Sequence, residues 1–498
     1  MKKLVVLLMS LLPVSLFAQW NSDNTFMDLS TSGEMPLLKV KSVLTSDGNT
    51  WIAYTTYTSG FMVDCKIQLL DNNGYPVFDK EGISVISNSR DLPSSADTFG
   101  FTCDEEGNAI VCFPSAFGLP SYMPLPRVFK IDSEGNQLWG ENGIELPVSS
   151  DMITSCDLYN LNGNIYPTWS FTDYSSQTST TNIIELNSDG TFNWDNPVVV
   201  SGKNASFIAT EEGFNAYWVE NNKAISQTFN QNGQSTSDPM IISEDGFYVN
   251  EPWNGSPFSL ATTLNNDFAL VFTGYDSEGK NAMCYAKVEN NILDFSKITS
   301  DYSFDNIYVT LEETTNNLII LWNTYDYSAG SEIHMLLQNG NETTENILVQ
   351  SENSLYPMYA TFNSKIEIFS IWAEAEGWSG SNIKCSCYNY QGEQTVITDL
   401  FFTSSELNAS SFECNDTYAF LYMPYTDANT YESELIGMRI PLNGIFGTTG
   451  VEVNPDVTSV ENKIYFSIDG KQVNSNSLVP GLYIEYSSKG SRKIYIKN

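Results

Sequence analysis

Histidine occurs once in these 498 residues, at position 334. One histidine excludes a His-built metal site and leaves a Ser-His-Asp triad untenable. No G-x-S-x-G elbow, P-loop, H-E-x-x-H or EF-hand loop is present. Basic residues are scarce: 23 Lys and Arg stand against 60 Asp and Glu, a formal net charge of −37. A field of that sign repels phosphate backbones, which makes nucleic acid a poor partner. Long stretches of helical periodicity are missing. Beyond the first residues, no apolar run reaches the ~18 residues of a spanning helix, so no transmembrane segment is expected.

The N-terminus carries the one targeting signal. Lys2 and Lys3 precede the apolar stretch Leu4 to Phe17, and Ala18 is a small residue before Gln19. This is the order of a signal peptide over residues 1–18. No Cys stands near the cleavage point, which argues against a lipid anchor. The expected product is exported, a compartment where the eight cysteines are free to pair. Each, however, falls in a strand-like run, and most read as small core residues. Cys103 and Cys112 share a hairpin, and a turn at Glu106-Gly107 sets Cys103 opposite Ile110 and diagonal to Cys112, leaving a bridge open. Cys385-x-Cys387 matches no zinc spacing.

What the chain does have is repetition. One series of turns falls at Asp47-Gly48, Glu106-Gly107, Asn162-Gly163, Glu212-Gly213, Asn265-Asn266, Asn316-Asn317, Asn363-Ser364 and Asn415-Asp416. A second falls at Asn73-Gly74, Glu134-Gly135, Asp189-Gly190, Asn232-Gly233, Asn290-Asn291, Asn339-Gly340, Gln391-Gly392 and Asn443-Gly444. Asn-Gly and Asp-Gly tolerate the positive φ of tight hairpins. Each unit reads strand A, turn, B, loop, C, turn, D. The B strands are apolar without alternation, as in Ala269-Leu270-Val271-Phe272 and Leu318 to Trp322. Continuous apolarity indicates burial on both faces. Sheets packed radially between two neighbours provide it. The expected fold is all-β: an eight-bladed β-propeller of four-stranded antiparallel blades over residues 35–447, with seven blades as the near alternative. A set of β-sandwiches is the competing architecture, but it does not require one turn chemistry at one interval.

The pattern stops at Gly447. Residues 448–456 read as a linker, and residues 457–498 as a small β-domain. Ile468-Asp469-Gly470-Lys471-Gln472-Val473, Pro480-Gly481-Leu482-Tyr483-Ile484 and the closing Lys493-Ile494-Tyr495-Ile496-Lys497 carry a pattern of D-G-K turn, G-L-Y-I strand and basic terminal strand. This tail resembles the C-terminal sorting domain of type IX secretion cargo in Bacteroidota. The resemblance covers about 45 residues, and of the family's Pro-Asn-Pro opening only Asn454-Pro455 is present. It implies that Asp469, Gly470, Gly481, Tyr483, Lys493 and Lys497 serve sorting, that the secretion machinery is a partner, and that the protein reaches the outer-membrane surface or the exterior. A non-working tail would leave it in the periplasm.

Function is expected on one face. A–B and C–D turns share one end of a propeller and are tight. B–C and D–A loops share the other and are rich in aromatics and acids. The candidate ligand-binding residues are Tyr57, Tyr122, Asp173, Tyr174, Tyr275, Asp276, Tyr325, Asp326, Tyr327, Glu374, Trp378, Tyr425 and Asp427, with Phe247-Tyr248 and Trp253 in a D–A segment. Tyr and Trp supply amphipathic contact area with little side-chain entropy to lose, and adjacent acids suit sugar hydroxyls or a calcium ion. The expected ligand is a glycan or a protein. No catalytic residue, metal ligand or cofactor is assigned. Ser46-Asp47-Gly48-Asn49-Thr50-Trp51 resembles the Asp-box of sialidase-type propellers, but it lacks one residue. Arg90, Arg127 and Arg439 are also too scattered for the arginine cluster such enzymes use. A carboxylate-dependent glycan-active enzyme and a structural adhesin are the alternatives.

Overall fold

The structure is a computed structural model. It describes residues 26–29, 37–58, 62–79, 82–90, 99–115, 125–148, 153–161, 163–173, 178–250, 256–262, 268–289, 292–293, 295–311, 317–326, 330–340, 342–362, 367–375, 381–389, 394–403, 411–414, 418–426, 433–441, 464–467, 472–473, 481–487 and 490–496. Every element among them is a β-strand and every ladder is antiparallel, as the turn series and unbroken apolar runs require.

Seven four-stranded sheets and one six-stranded sheet form a ring, a β-propeller. Blade 1 is Leu37–Leu44, Thr50–Thr58, Met62–Leu70 and Ile83–Arg90. Blades 2, 3 and 4 begin at Gly100, Ile153 and Ser206, and blades 6 and 7 at Asp305 and Leu355. The inner strands touch in sequence and the last, Ser411–Cys414, returns to Leu37–Leu44. The irregular member is blade 5. Its inner position is split between Tyr248–Val249 and Phe258–Thr262, which both pair with Phe268–Tyr275. Its outer position is split between Ile292–Leu293 and Ser296–Ser300, which both pair with Asn281–Glu289. The seven regular blades and this split one account for the repeat units in the sequence.

The ring closes with a strand lying before the expected boundary at Met35. Phe26–Asp28 pairs with Ser433–Pro441 as the outer strand of blade 8, and Leu29 N–H donates to Leu435 O at 2.7 Å. On the inner side of the same seam, Ser42 N–H donates to Ser411 Oγ (2.9 Å) and Ser42 Oγ to Glu413 Oε1 (3.0 Å). Burial pushes the Glu413 carboxyl up to about 7, against the opposing hydrogen bond from Ser42.

The core lies between blades. Along one B strand, alternate residues enter different clusters. Leu318, Ile320 and Trp322 pack toward blade 5, whereas Ile319 and Leu321 pack toward blade 7. In blade 2, Ile110 and Cys112 face blade 3, and Ala109, Val111 and Phe113 face blade 1. A two-residue period with both faces apolar is the reason these strands show no alternation.

The turns are longer than the Gly-containing dipeptides indicate. At Asp71–Tyr75, Asp104–Asn108, Asp132–Asn136, Asn187–Thr191 and Asn230–Gln234 the first N–H donates to the fifth carbonyl, and the glycine N–H returns to the first carbonyl. These are three-residue hairpin loops with glycine in the left-handed position. In four of them the first side chain caps two backbone N–H groups. Asp104 Oδ1, for example, accepts from Glu106 (3.0 Å) and Asn108 (2.8 Å). The extra residues reset the register: Cys103 lies opposite Ala109 and Cys112 opposite Gly100, so these cysteines are three positions apart rather than diagonal. Both are free thiols, as are Cys65, Cys156 and Cys284.

At two of these turns, those of Gly135 and Gly190, a tryptophan four places after the glycine fastens the turn to the next blade. Trp139 Nε1–H donates to Ser188 O (3.2 Å) and Trp194 Nε1–H to Gln231 O (3.1 Å). Gly190 has φ of +87°, and a Cβ there would stand 2.9 Å from Trp139.

The C-terminal strands Ile464–Ser467, Gln472–Val473, Gly481–Ser487 and Gly490–Ile496 form a separate four-stranded sheet. Asp469, Gly470 and Lys497 lie outside the described residues, and Gly481, Tyr483 and Lys493 fall in its strands.

Candidate functional site

The B–C and D–A loop face of blades 5 and 6 carries the expected tyrosines whose side chains are described. Tyr275 ends the B strand of blade 5 and stands directly opposite Tyr248 of the short added strand. Directly opposed side chains in an antiparallel pair sit about 5 Å apart at Cβ. The added strand is held from below. Phe247 packs edge-on against Phe272 at 5.7 Å, Val249 N–H donates to Asn222 O (3.0 Å), and Asn250 N–H to Thr273 O (2.8 Å). Asn221 and Asn222 form a two-residue turn with both φ positive, 51° and 60°, the geometry that fits the strand twist. Gly274 is required because a Cβ there would meet Tyr248 O at 2.1 Å.

Two further tyrosines extend this face. Tyr302 follows the outer strand of blade 5, and Tyr325 lies near the end of the B strand of blade 6, opposite Ser331. Exposures are 53% for Tyr248, 45% for Tyr275, 42% for Tyr302 and 36% for Tyr325. Around them stand polar groups in the same loops. Asn281 Nδ2–H donates to Asp301 O (3.5 Å), Ser303 Oγ–H to Asp305 (2.8 Å), and Asn306 Nδ2–H to Asn323 Oδ1 (2.9 Å). Tyr302 was not singled out in the sequence. Its signal is a Tyr between Asp301 and Ser303 in a D–A loop, and only the register of blade 5 places it on the same loop face as Tyr275.

Some nominated acids also hold the scaffold. Asp276 Oδ1 accepts backbone N–H from Glu278 and Lys280, both at 2.9 Å, so it caps the B–C turn of blade 5. Glu374 forms an ion pair with Lys384 and accepts from Ser351 and, at 3.3 Å, from Asn353. Burial would raise its carboxyl, but Lys384 and Ser351 hold it below the usual range. It ties blade 7 to the last strand of blade 6. Asp173 is exposed at the end of its strand. Tyr122, Tyr174, Tyr327, Trp253, Trp378 and Asp427 lie outside the described residues, as do the side chains of Tyr57, Asp326 and Tyr425.

His334 is structural. It stacks on Trp322 at 5.1 Å between ring centroids, and its ring nitrogens approach Glu332 (3.2 Å) and Glu345 (3.4 Å). Among the described residues no three of His, Cys, Asp and Glu gather closely enough to hold a metal ion together. No described helix is long and apolar enough to cross a membrane.

No family model matches the chain, and no curated protein matches it. Solved structures similar to it include the Dos1 propeller, at 8% identity over 84% of this chain and 95% of that one with a TM-score of 0.44. The WD40 domain of SCAP from fission yeast has 10% identity over 83% and 97%, TM-score 0.43. The polysaccharide lyase Uly1 has 8% identity over 81% and 89%, TM-score 0.43. At these scores the likenesses carry no argument of their own, and the propeller assignment rests on the closed ring.

Proposed function

We propose that this protein is an exported β-propeller that binds a neutral glycan on the loop face of blades 5 and 6. The supporting observation is the kind of side chain exposed there: Tyr248, Tyr275, Tyr302 and Tyr325. These are the large hydrophobic residues exposed on that face among the described residues; of the exposed aliphatic residues, Val199, Met240 and Ile241 lie on outer strands of blades 3 and 4, Ile347 on the outer strand of blade 6, and Val77 and Leu138 just after C–D turns. A protein-binding patch concentrates its energy in a dry centre of aromatic and aliphatic anchors. Separated tyrosines set among Asn, Asp and Ser match the alternating apolar faces and hydroxyl edges of a sugar chain. The net charge of −37 disfavours polyanionic glycans. Delivery to the cell surface through residues 457–498 is part of the same reading.

The test is a glycan array with the mature chain beside Tyr275→Ala/Tyr325→Ala. Retention of neutral glycans should fall at least tenfold in the variant with its thermal midpoint unchanged. Equal retention by both proteins refutes the site. For the tail, deleting residues 457–498 should hold the protein in the periplasm, and normal surface delivery refutes the sorting role.

A further inference from the structure

A cleft of about 300 Å³ opens between blades 3 and 4 on the turn face, the end opposite the tyrosines. Asn164, Tyr166, Glu185 and Asn193 line it from blade 3, and Thr210 and Asn232 from blade 4. Its deepest acid is Glu185, only 6% exposed. Glu185 Oε2 accepts from Asn193 Nδ2 at 2.7 Å, and Asn193 N–H also donates to Glu185 O at 2.9 Å. Burial and the adjacent Glu185 push the Tyr166 phenol far above its ordinary range, so it stays a neutral donor toward that carboxylate.

The surroundings are rigid. Tyr166 packs on Trp194 at 5.8 Å and on Phe214 at 6.2 Å, and Trp194 stacks on Phe214 at 5.9 Å. The indole of Trp194, donating to Gln231 O, bolts the blade 3 wall to the blade 4 turn. The cleft is therefore part of the inter-blade packing. Its charge is unbalanced: no Lys or Arg is among its lining residues, and the groups that face Glu185 are neutral donors. A carboxylate withdrawn from water is costly unless a counter-charge or full hydrogen bonding compensates. The volume holds on the order of ten water molecules, enough for one sugar ring or one lysine side chain.

We infer that this cleft binds a protonated primary amine, with Glu185 as its counter-charge and the side chains of Asn193, Thr210 and Asn232 contacting the group that carries it. Glucosamine and an alkylamine such as the lysine side chain share this chemistry. The site is independent of the loop-face glycan reading and lies at the other end of the ring.

Saturation-transfer NMR on the full mature chain at pH 7 tests it with glucosamine, N-acetylglucosamine and n-butylamine. Glucosamine should bind and N-acetylglucosamine should not. Butylamine competing equally assigns recognition to the amine alone, and a much weaker butylamine adds the sugar ring to it; both outcomes support an ammonium site. Glu185→Gln should weaken glucosamine at least tenfold. Asn232→Trp, at an exposed turn position, should block the mouth while leaving the buried network intact, and it decides the matter if Glu185→Gln fails to fold. Absence of amine binding, equal binding of N-acetylglucosamine, or binding unchanged in Asn232→Trp overturns the inference. Tyr275→Ala/Tyr325→Ala should leave amine binding intact.

Discussion

Glu413 sits where the ring closes, and its replacement by glutamine separates the charge of that seam from its shape. The amide keeps an oxygen to accept from Ser42 Oγ–H, which stands 3.0 Å from Glu413 Oε1. Moving a carboxyl from its ordinary 4.5 to about 7 corresponds to about 3 kcal/mol against the charged form. Glu413 retains part of its surface in solvent, and screening lowers the expected gain on removing the charge to about 1–2 kcal/mol. The direction follows from proton counts. Between pH 4.5 and about 7 the folded chain keeps a proton that the unfolded chain has released. Stability of the natural protein therefore falls as pH rises through that window and is lowest above it. Glu413→Gln should match the natural protein at pH 4 and exceed it at pH 8. With unfolding entropy near 2.1 cal/mol/K per residue over roughly 400 residues, the thermal midpoint at pH 8 should rise by about 1–2 °C. Urea titrations at both pH values measure the free energy directly. A gain of the same size at pH 4 and pH 8, or none at pH 8, refutes the reasoning.

Three other outcomes follow from the packing. Lys130 and Asp104 form a nearly buried ion pair at 2.8 Å; Lys130→Ala should cost about 3 kcal/mol in urea unfolding because it leaves the acid unpaired. Although burial alone would raise it, hydrogen bonds from Asn108 and Lys130 hold the Asp104 carboxyl below its ordinary 3.8, so this stabilisation is present above that pH and is lost as pH falls below it; Lys130→Ala should flatten the acid limb, and an unchanged acid limb counts against the pair. Gly190→Ala forces a Cβ to 2.9 Å from Trp139 at φ +87° and should cost about 2–4 kcal/mol, whereas Gly279→Ala, with φ +80° and open space, should cost about 1; equal losses would mean the inter-blade contact contributes nothing.

The ring was legible because its B strands are apolar on both faces, a property of each segment that needs no knowledge of its neighbours. Leu318 to Trp322 shows this directly: the unbroken run reflects two clusters, one on each side. The turns were legible in kind and misread in length. Gly107 was visible, but the loop it closes begins at Asp104, and that shift moved Cys103 from Ile110 to Ala109. Asp276 read as a ligand group because it follows Tyr275, yet the glycine three places later at Gly279 marks it as the cap of the same loop type. Phe26–Asp28 carried no pattern at all. Three residues make too short a strand to show a period, and its partner lies at the far end of the propeller.

That closing strand also sets an order of assembly. Phe26 leaves the ribosome long before Met438 exists to pair with it. Bringing those ends together carries a loop-closure cost of about 5 kcal/mol for a chain of this separation, offset only when blades 1 to 7 already hold the ends near each other. The first segment thus waits as an unpaired strand while the rest of the ring forms, and blade 8 is completed by an early and a late segment of the chain at once. A truncation before Ser433 removes the partner of Phe26–Asp28 and leaves that strand an open edge, where it can recruit other chains. Loop closure makes this seam the expected last contact in folding and the natural place for the ring to part.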